Sequence, residues 1–149
     1  MFAQVVLSLT GPMDHLRLVW QTGEALLQAV VFEDDPDGTR YNVLVALQEL
    51  VTNVLRHGYE MDESRPIEVR FDLHDDCFQV TLRDRGPAFD PTRHVADAAA
   101  VVDDGAMPTE CGGFGILIVR QVMDRVEYAR IDGWNTLRLT KHARVVVTN

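Results

Sequence analysis

The stretch "VALQELVTNVLRHGYE", residues 45–60, decides how the rest of the chain is read. On a helical wheel at about 100° per residue, Val43, Leu47, Leu50, Val51 and Val54 fall on one arc. Glu49, Asn53 and His57 fall on another, each one turn from the next. A helix with a single apolar face needs a second layer on which to bury it. The polar stripe has two readings, a solvated face or a set of groups aimed at a ligand, and spacing alone favours the solvated face. His57 stands beside Gly58, which occupies the usual place of a left-handed C-cap, and reads as a helix-end residue.

Working outward, the opening "AQVVLSLT" is strand-like and is closed by "TGP", with Pro12 suited to the first turn of a helix. Helical spacing then runs over residues 13–32 until "EDDPDG" breaks it, and the second helix spans about residues 39–57. "PIEVRFDL" and "CFQVTLRD" alternate with period two and form an antiparallel hairpin across "HDD". Residues 91–111 are rich in Ala, Asp and Pro and read as a mobile loop, with one short helix around residues 95–102. "ILIVRQVMDRV" is helical, and "VEYARI" and "TLRLTKH" are strands joined across "DGWN". This order predicts an α+β fold in one domain over residues 1–149. Its architecture is a two-layer sandwich, a mixed, mostly antiparallel sheet with helices packed on one face.

Bulk properties narrow the function. A chain of 149 residues buries about two-thirds of the surface it exposes when unfolded, enough for one core. The formal net charge of −9 opposes indiscriminate binding to a phosphate backbone, so direct nucleic-acid binding is not expected. Thirteen of the basic residues are Arg and Lys141 is the single Lys. A glycine loop or strand that needs a lysine on phosphate is therefore excluded unless Lys141 supplies it. Cys77 and Cys111 make neither a metal spacing nor a disulfide framework. With no apolar run near the roughly 18 residues of a membrane helix, the chain reads as cytoplasmic, with no membrane association.

Three constellations carry chemistry. Glu49 and Asn53, one turn apart, can address one ligand. A carboxylate and a carboxamide suit a magnesium nucleotide, because Mg²⁺ takes hard oxygen ligands and a carboxylate can accept a hydroxyl proton. "RDRGPAFDP" ends a strand on Asp84 and turns at Gly86, so a carboxylate stands where the backbone admits a ligand; it can accept from an exocyclic amine such as adenine's. "CGGFGILIV" sets Gly112, Gly113 and Gly115 before a helix, offering N–H groups and a positive dipole end to an anion. Each alone is an ordinary polar face, turn or hinge.

Taken in order, E-x-x-x-N-x-x-x-H on a helix, D-x-G-x-x-F at a strand end and G-x-G at a helix start make the chain resemble the GHKL ATPases and their Bergerat fold. More narrowly, "ELVTNVLRHGYE", "LRDRGPAFDP", "GGFGILIVRQVMDRVEY" and "TLRLTKH" look like the anti-sigma factor serine/threonine kinases of bacterial partner switching, a resemblance covering residues 43–142. It implies ATP and Mg²⁺ as cofactors. Glu49 would be the general base on a partner's serine and Asn53 the Mg²⁺ ligand. Asp84 would accept the adenine amine, with Gly86 giving room and Thr136 in support. Gly112, Gly113 and Gly115 would wrap the phosphates beneath a lid formed by residues 91–111.

The resemblance further implies protein partners, an anti-sigma antagonist that is phosphorylated and a sigma factor or equivalent regulator that is sequestered. It also implies a homodimer, for which the exposed part of "VVLSL" suits edge pairing. Some members carry an arginine just before the glycines, where this chain has Glu110 and Cys111, which leaves Arg93 and Arg120 as alternatives. A nucleotide-responsive binding module without kinase turnover stays open beside the enzyme.

Overall fold

The computed structural model describes residues 3–92 and 111–146. Five strands form one sheet: β1 (Ala3–Leu9), β3 (Ile67–Leu73), β4 (Cys77–Asp84), β5 (Arg125–Ile131) and β6 (Trp134–His142). Their order is β1-β3-β4-β6-β5. Every neighbouring pair is antiparallel, so the described sheet has no parallel pair where a mixed one was expected. β1 lies at an edge, Ala3 opposite Leu73 and Leu9 opposite Ile67.

Period-two alternation sorts the strands into two faces. Phe78, Val80 and Leu82 of β4 are buried together with Leu137 and Leu139 of β6 and Ile67, Val69 and Phe71 of β3. They share one core with Val19 and Leu27 of α1 (His15–Leu27) and with Val43, Leu47, Leu50 and Val51 of α2 (Pro36–Asn53). Burying a Val, Leu or Phe side chain is worth about 1.5–3 kcal/mol, so this face alone fixes which way each strand points. α1 packs on α2, and α2 packs on α3 (Cys111–Val122). A Cβ on Gly23 would stand 2.8 Å from Leu44 Cδ2, so a glycine lets α1 seat closely on α2.

Local chemistry moves several boundaries. Asp14 caps α1, its side chain accepting from the Arg17 N–H at 3.0 Å, so the helix starts at His15. It ends at Leu27 rather than running to residue 32. Val30–Val31 instead forms β2, which pairs with β7 (Arg144–Val145) in a second, two-stranded sheet. Asp35 caps α2 from a left-handed backbone (φ 43°), with Pro36 in the first turn. α2 then gives way at Val54–Gly58 to a π-helical turn, in which the Tyr59 N–H donates to the Val54 carbonyl at 2.8 Å. Gly58 therefore is not the left-handed cap that its position suggested; Glu60 (φ 50°) and Met61 (φ 65°) take that conformation.

Asp132 (φ 51°) and Gly133 (φ 80°) make the two-residue turn between β5 and β6, both with positive φ as a type I′ hairpin requires. Trp134 and Asn135 consequently belong to β6 and not to the turn. α3 includes Gly112, Gly113 and Gly115 in its first turns, where a loop ahead of the helix was expected. Most of the segment read as a lid, residues 93–110, lies outside the described residues. No helix among the described residues is long and apolar enough to cross a membrane.

Candidate functional site

Asp84 ends β4 on the helix-facing side of the sheet, in line with Val80 and Leu82, and is 8% exposed. Its Oδ1 accepts from the Gly86 N–H at 2.8 Å and from Asn135 Nδ2 at 3.0 Å. Among the described residues nothing donates to Oδ2, which leaves that oxygen for a ligand donor.

The turn after β4 meets the end of α2 backbone to backbone. A Cβ on Gly86 would lie 3.2 Å from Gly58 Cα, 3.3 Å from Gly58 O and 3.0 Å from Asp84 Oδ1. Backbone neighbours cannot swing aside, so only glycine fits here without moving the turn. Tyr59, 2% exposed, pins the same junction: its hydroxyl donates to the Pro66 carbonyl at 2.6 Å and accepts from the Arg85 N–H at 2.6 Å. Burial pushes its phenol above the ordinary 10.0, which keeps it a neutral donor. Arg65 lies 4.4 Å over the Tyr59 ring and donates to the Arg85 carbonyl at 2.8 Å.

Upstream of that junction, Glu49 and Asn53 sit half-buried on α2. Among the described residues neither side chain has a hydrogen-bond or ion-pair partner. Two half-buried polar groups without protein partners suit a ligand, since burial without a partner is costly. His57 is exposed in the π-helical turn, as a helix-end residue would be. α2 packs on α3, whose first turns hold Gly112, Gly113 and Gly115. A small apolar cleft is lined by Leu50 of α2, Val119 and Arg120 of α3, Val126 and Leu137 of the sheet, and Pro91 and Thr92. Arg120 lines the same cleft as Leu50, while Arg93 lies outside the described residues.

Thr136 does not join this set. It stands opposite Arg83 on β6, and directly opposed residues share a face, so it points away from Asp84 to the far side of the sheet. The β6 residue that reaches Asp84 is Asn135, its direct cross-strand partner. Parity carried the signal: with Leu137 and Leu139 in the core, position 135 faces inward and position 136 outward. Tyr59 was also missed, since its role depends on contacts that the sequence does not order.

The arrangement offers one acceptor at the sheet end, hard oxygens along α2 and a helix N-terminus across from them. Among the described residues no cluster of three or more His, Cys, Asp or Glu side chains could cage a metal. A magnesium nucleotide does not need such a cage, because Mg²⁺ keeps water and phosphate oxygens and takes one or two protein oxygens. The unpartnered Asn53 and Glu49 and the free Asp84 Oδ2 fit that group.

The sequence matches the family model for the Histidine kinase-like ATPase domain over residues 12–141. The serine/threonine-protein kinase BtrW of Bordetella bronchiseptica is 31% identical over 106 residues, 70% of this chain and 71% of BtrW. The serine-protein kinase RsbW of Oceanobacillus iheyensis is 29% identical over 84 residues, which is 56% of this chain and 53% of that protein. Among solved structures, the RsbU and RsbW domains of Rv1364c from Mycobacterium tuberculosis give a TM-score of 0.62 at 19% identity, covering 99% of this chain and 34% of that one. The SiaB–SiaC complex from Pseudomonas aeruginosa gives 0.58 at 17% identity, covering 90% and 88%. At such identities these two likenesses are of fold alone. The motifs on α2, β4 and α3, the antiparallel sheet that carries them and the match over residues 12–141 agree, and the chain belongs to the histidine kinase-like ATPase family, among relatives that include the serine kinases BtrW and RsbW.

Proposed function

We propose that this protein is an ATP-dependent protein-serine kinase and anti-sigma regulator of a partner-switching system. In this reading it phosphorylates a small anti-sigma antagonist and sequesters a sigma factor or another regulator. The observation that carries the reading is the junction of Asp84, Gly86 and Gly58, where a buried carboxylate keeps one oxygen for a ligand at the end of the helix that carries the unpartnered Glu49 and Asn53. The names of the relatives BtrW and RsbW support the choice of serine as phosphate acceptor.

Each residue then has a task. Asp84 accepts the exocyclic amine of adenine on Oδ2, and Gly86 lets the turn beside it close on the Gly58 backbone, which holds that carboxylate in place. Asn53 would hold Mg²⁺ through its amide oxygen. Magnesium, when bound with ATP, supplies positive charge to the phosphates, which explains how a chain with one lysine can manage the reaction. The N–H groups of Gly112 and Gly113, in the first turn of α3, are offered to the phosphates at its positive end, and Gly115 lies one turn further in. Glu49 takes the proton from the incoming serine hydroxyl as its oxygen bonds to the terminal phosphorus and ADP leaves. Such a site works in the cytoplasm, where Mg-ATP is abundant.

The test is transfer of label from γ-labelled Mg-ATP to candidate antagonist proteins. Glu49→Ala is expected to retain ATP affinity within about twofold and to lose at least about a hundredfold in transfer, the scale of a general base. Asn53→Ala should lose both. Undiminished transfer by Glu49→Ala sinks the assignment of the base. ATP binding without transfer by the wild-type chain would favour a nucleotide-responsive binding module.

A further inference from the structure

We propose that Asn135 is a positioning residue that aims Asp84 at the ligand and thereby sets selectivity for a purine bearing an exocyclic amine. The inference rests on the reading of Asp84 as the base acceptor.

Asn135 is 6% exposed, and every direction of its carboxamide is occupied. Nδ2 donates to Asp84 Oδ1 at 3.0 Å and to the Pro87 carbonyl at 2.9 Å, with the Gly86 carbonyl sharing at 3.4 Å. Oδ1 accepts from the Tyr128 hydroxyl, from Arg130 Nη1 at 3.0 Å and from the Phe89 N–H at 3.3 Å. The orientation follows from chemistry. A flipped amide would set its oxygen against three acceptors, and its N–H groups against the Arg130 and Phe89 donors. Arg130 Nη1 also donates to the Gly86 carbonyl at 3.0 Å, so β5 and β6 together grip the turn that follows Asp84.

The consequence falls on Asp84. With the Gly86 bond alone, its carboxylate could pivot about the last side-chain torsion. A second donor on the same oxygen, itself anchored from β5, removes that freedom and fixes where Oδ2 points. An amine is read by direction as well as by charge, so a fixed Oδ2 discriminates where a swinging one would not. No other side chain of β6 can do this. Leu137 and Leu139 on the same face carry no donor, and Thr136 faces away.

The test measures the dissociation constants of Mg-ATP and of the Mg complex of purine riboside triphosphate, which lacks the 6-amino group, for the full chain. The wild type is expected to prefer ATP by at least about tenfold, the worth of one good hydrogen bond to a charged group. Asn135→Ala should weaken ATP by about tenfold and the analogue by less than about twofold, collapsing the preference. Equal weakening of both ligands, or an unchanged preference, overturns the inference and leaves the role of Asp84 standing. A wild type that does not distinguish the two, with Asp84→Ala equally indifferent, overturns the reading of Asp84 and the inference with it. Should Asn135→Ala not fold, Arg130→Ala carries the test. That residue is exposed, and its loss frees one bond to Asn135 Oδ1 and should reduce the preference about two- to threefold. Wild-type preference in Arg130→Ala would then overturn it.

Discussion

At the scale of single residues, the site is set by groups that hold others in place. Tyr59 illustrates this, because its hydroxyl joins the end of α2 to the strand ends by two bonds of 2.6 Å. Tyr59→Phe leaves the Pro66 carbonyl and the Arg85 N–H without that partner and is expected to cost about 1–3 kcal/mol in chemical unfolding. Burial raises the folded-state phenol above 10.0, so folding favours the protonated form. The resulting stability is fully present below pH 10 and is lost as pH rises through the higher folded value. The stability gap between wild type and Tyr59→Phe should therefore narrow above pH 10, and a gap that is constant across that range would contradict the burial argument. The sequence made Asp84 and Gly86 legible only in company, because Asp-x-Gly alone is an ordinary turn and it was the order of the helix, strand-end and glycine motifs that singled it out. It did not separate Thr136 from Asn135. That distinction is one of strand parity, and assigning "DGWN" to a turn hid the fact that Asn135 already lies in β6.

At the scale of elements, the helices that carry the chemistry owe their ends to side chains. Asp35 holds the start of α2 with its carboxylate directed at the Gly38 N–H and a backbone at φ 43° that few residues adopt. Asp35→Ala loses the cap while keeping the unfavourable φ, and should lower stability by about 1–2 kcal/mol. Because Asp35 lies more than three turns from Glu49 and Asn53 along α2, ATP affinity should stay within about twofold. A thermal melt with nucleotide titration checks both halves, and an ATP affinity that falls with the melting temperature would show that the two ends of α2 are coupled. At its other end α2 passes into a π-helical turn, which brings Gly58 against Gly86. No propensity rule locates such a turn. It depends on the Tyr59 and Met61 N–H groups reaching the Val54 and Leu55 carbonyls at 2.8 and 2.6 Å, and so on packing at the site itself. The pairing of β2 with β7 was hidden for a related reason, since Val30 and Val31 also satisfy helical spacing and only a distant strand makes them extended.

At the scale of the whole molecule, the order of elements was legible because the hydrophobic period changes from 3.6 to 2 at each boundary. The sheet order followed less directly, for β1 pairs with β3 across α1 and α2, and no local signal announces that contact. The fold brings the end of α2 at Gly58 against Asp84 and Gly86, pairs Asp84 with Asn135 and packs α3 on α2. The central claim is that this junction binds Mg-ATP through Asp84. Isothermal titration calorimetry with Mg-ATP, wild type against Asp84→Ala, tests it most directly. A single saturable site in the wild type, at least about tenfold weaker in Asp84→Ala with the melting temperature largely kept, is the predicted result. No measurable binding by the wild type, or equal affinity in the two proteins, would contradict it.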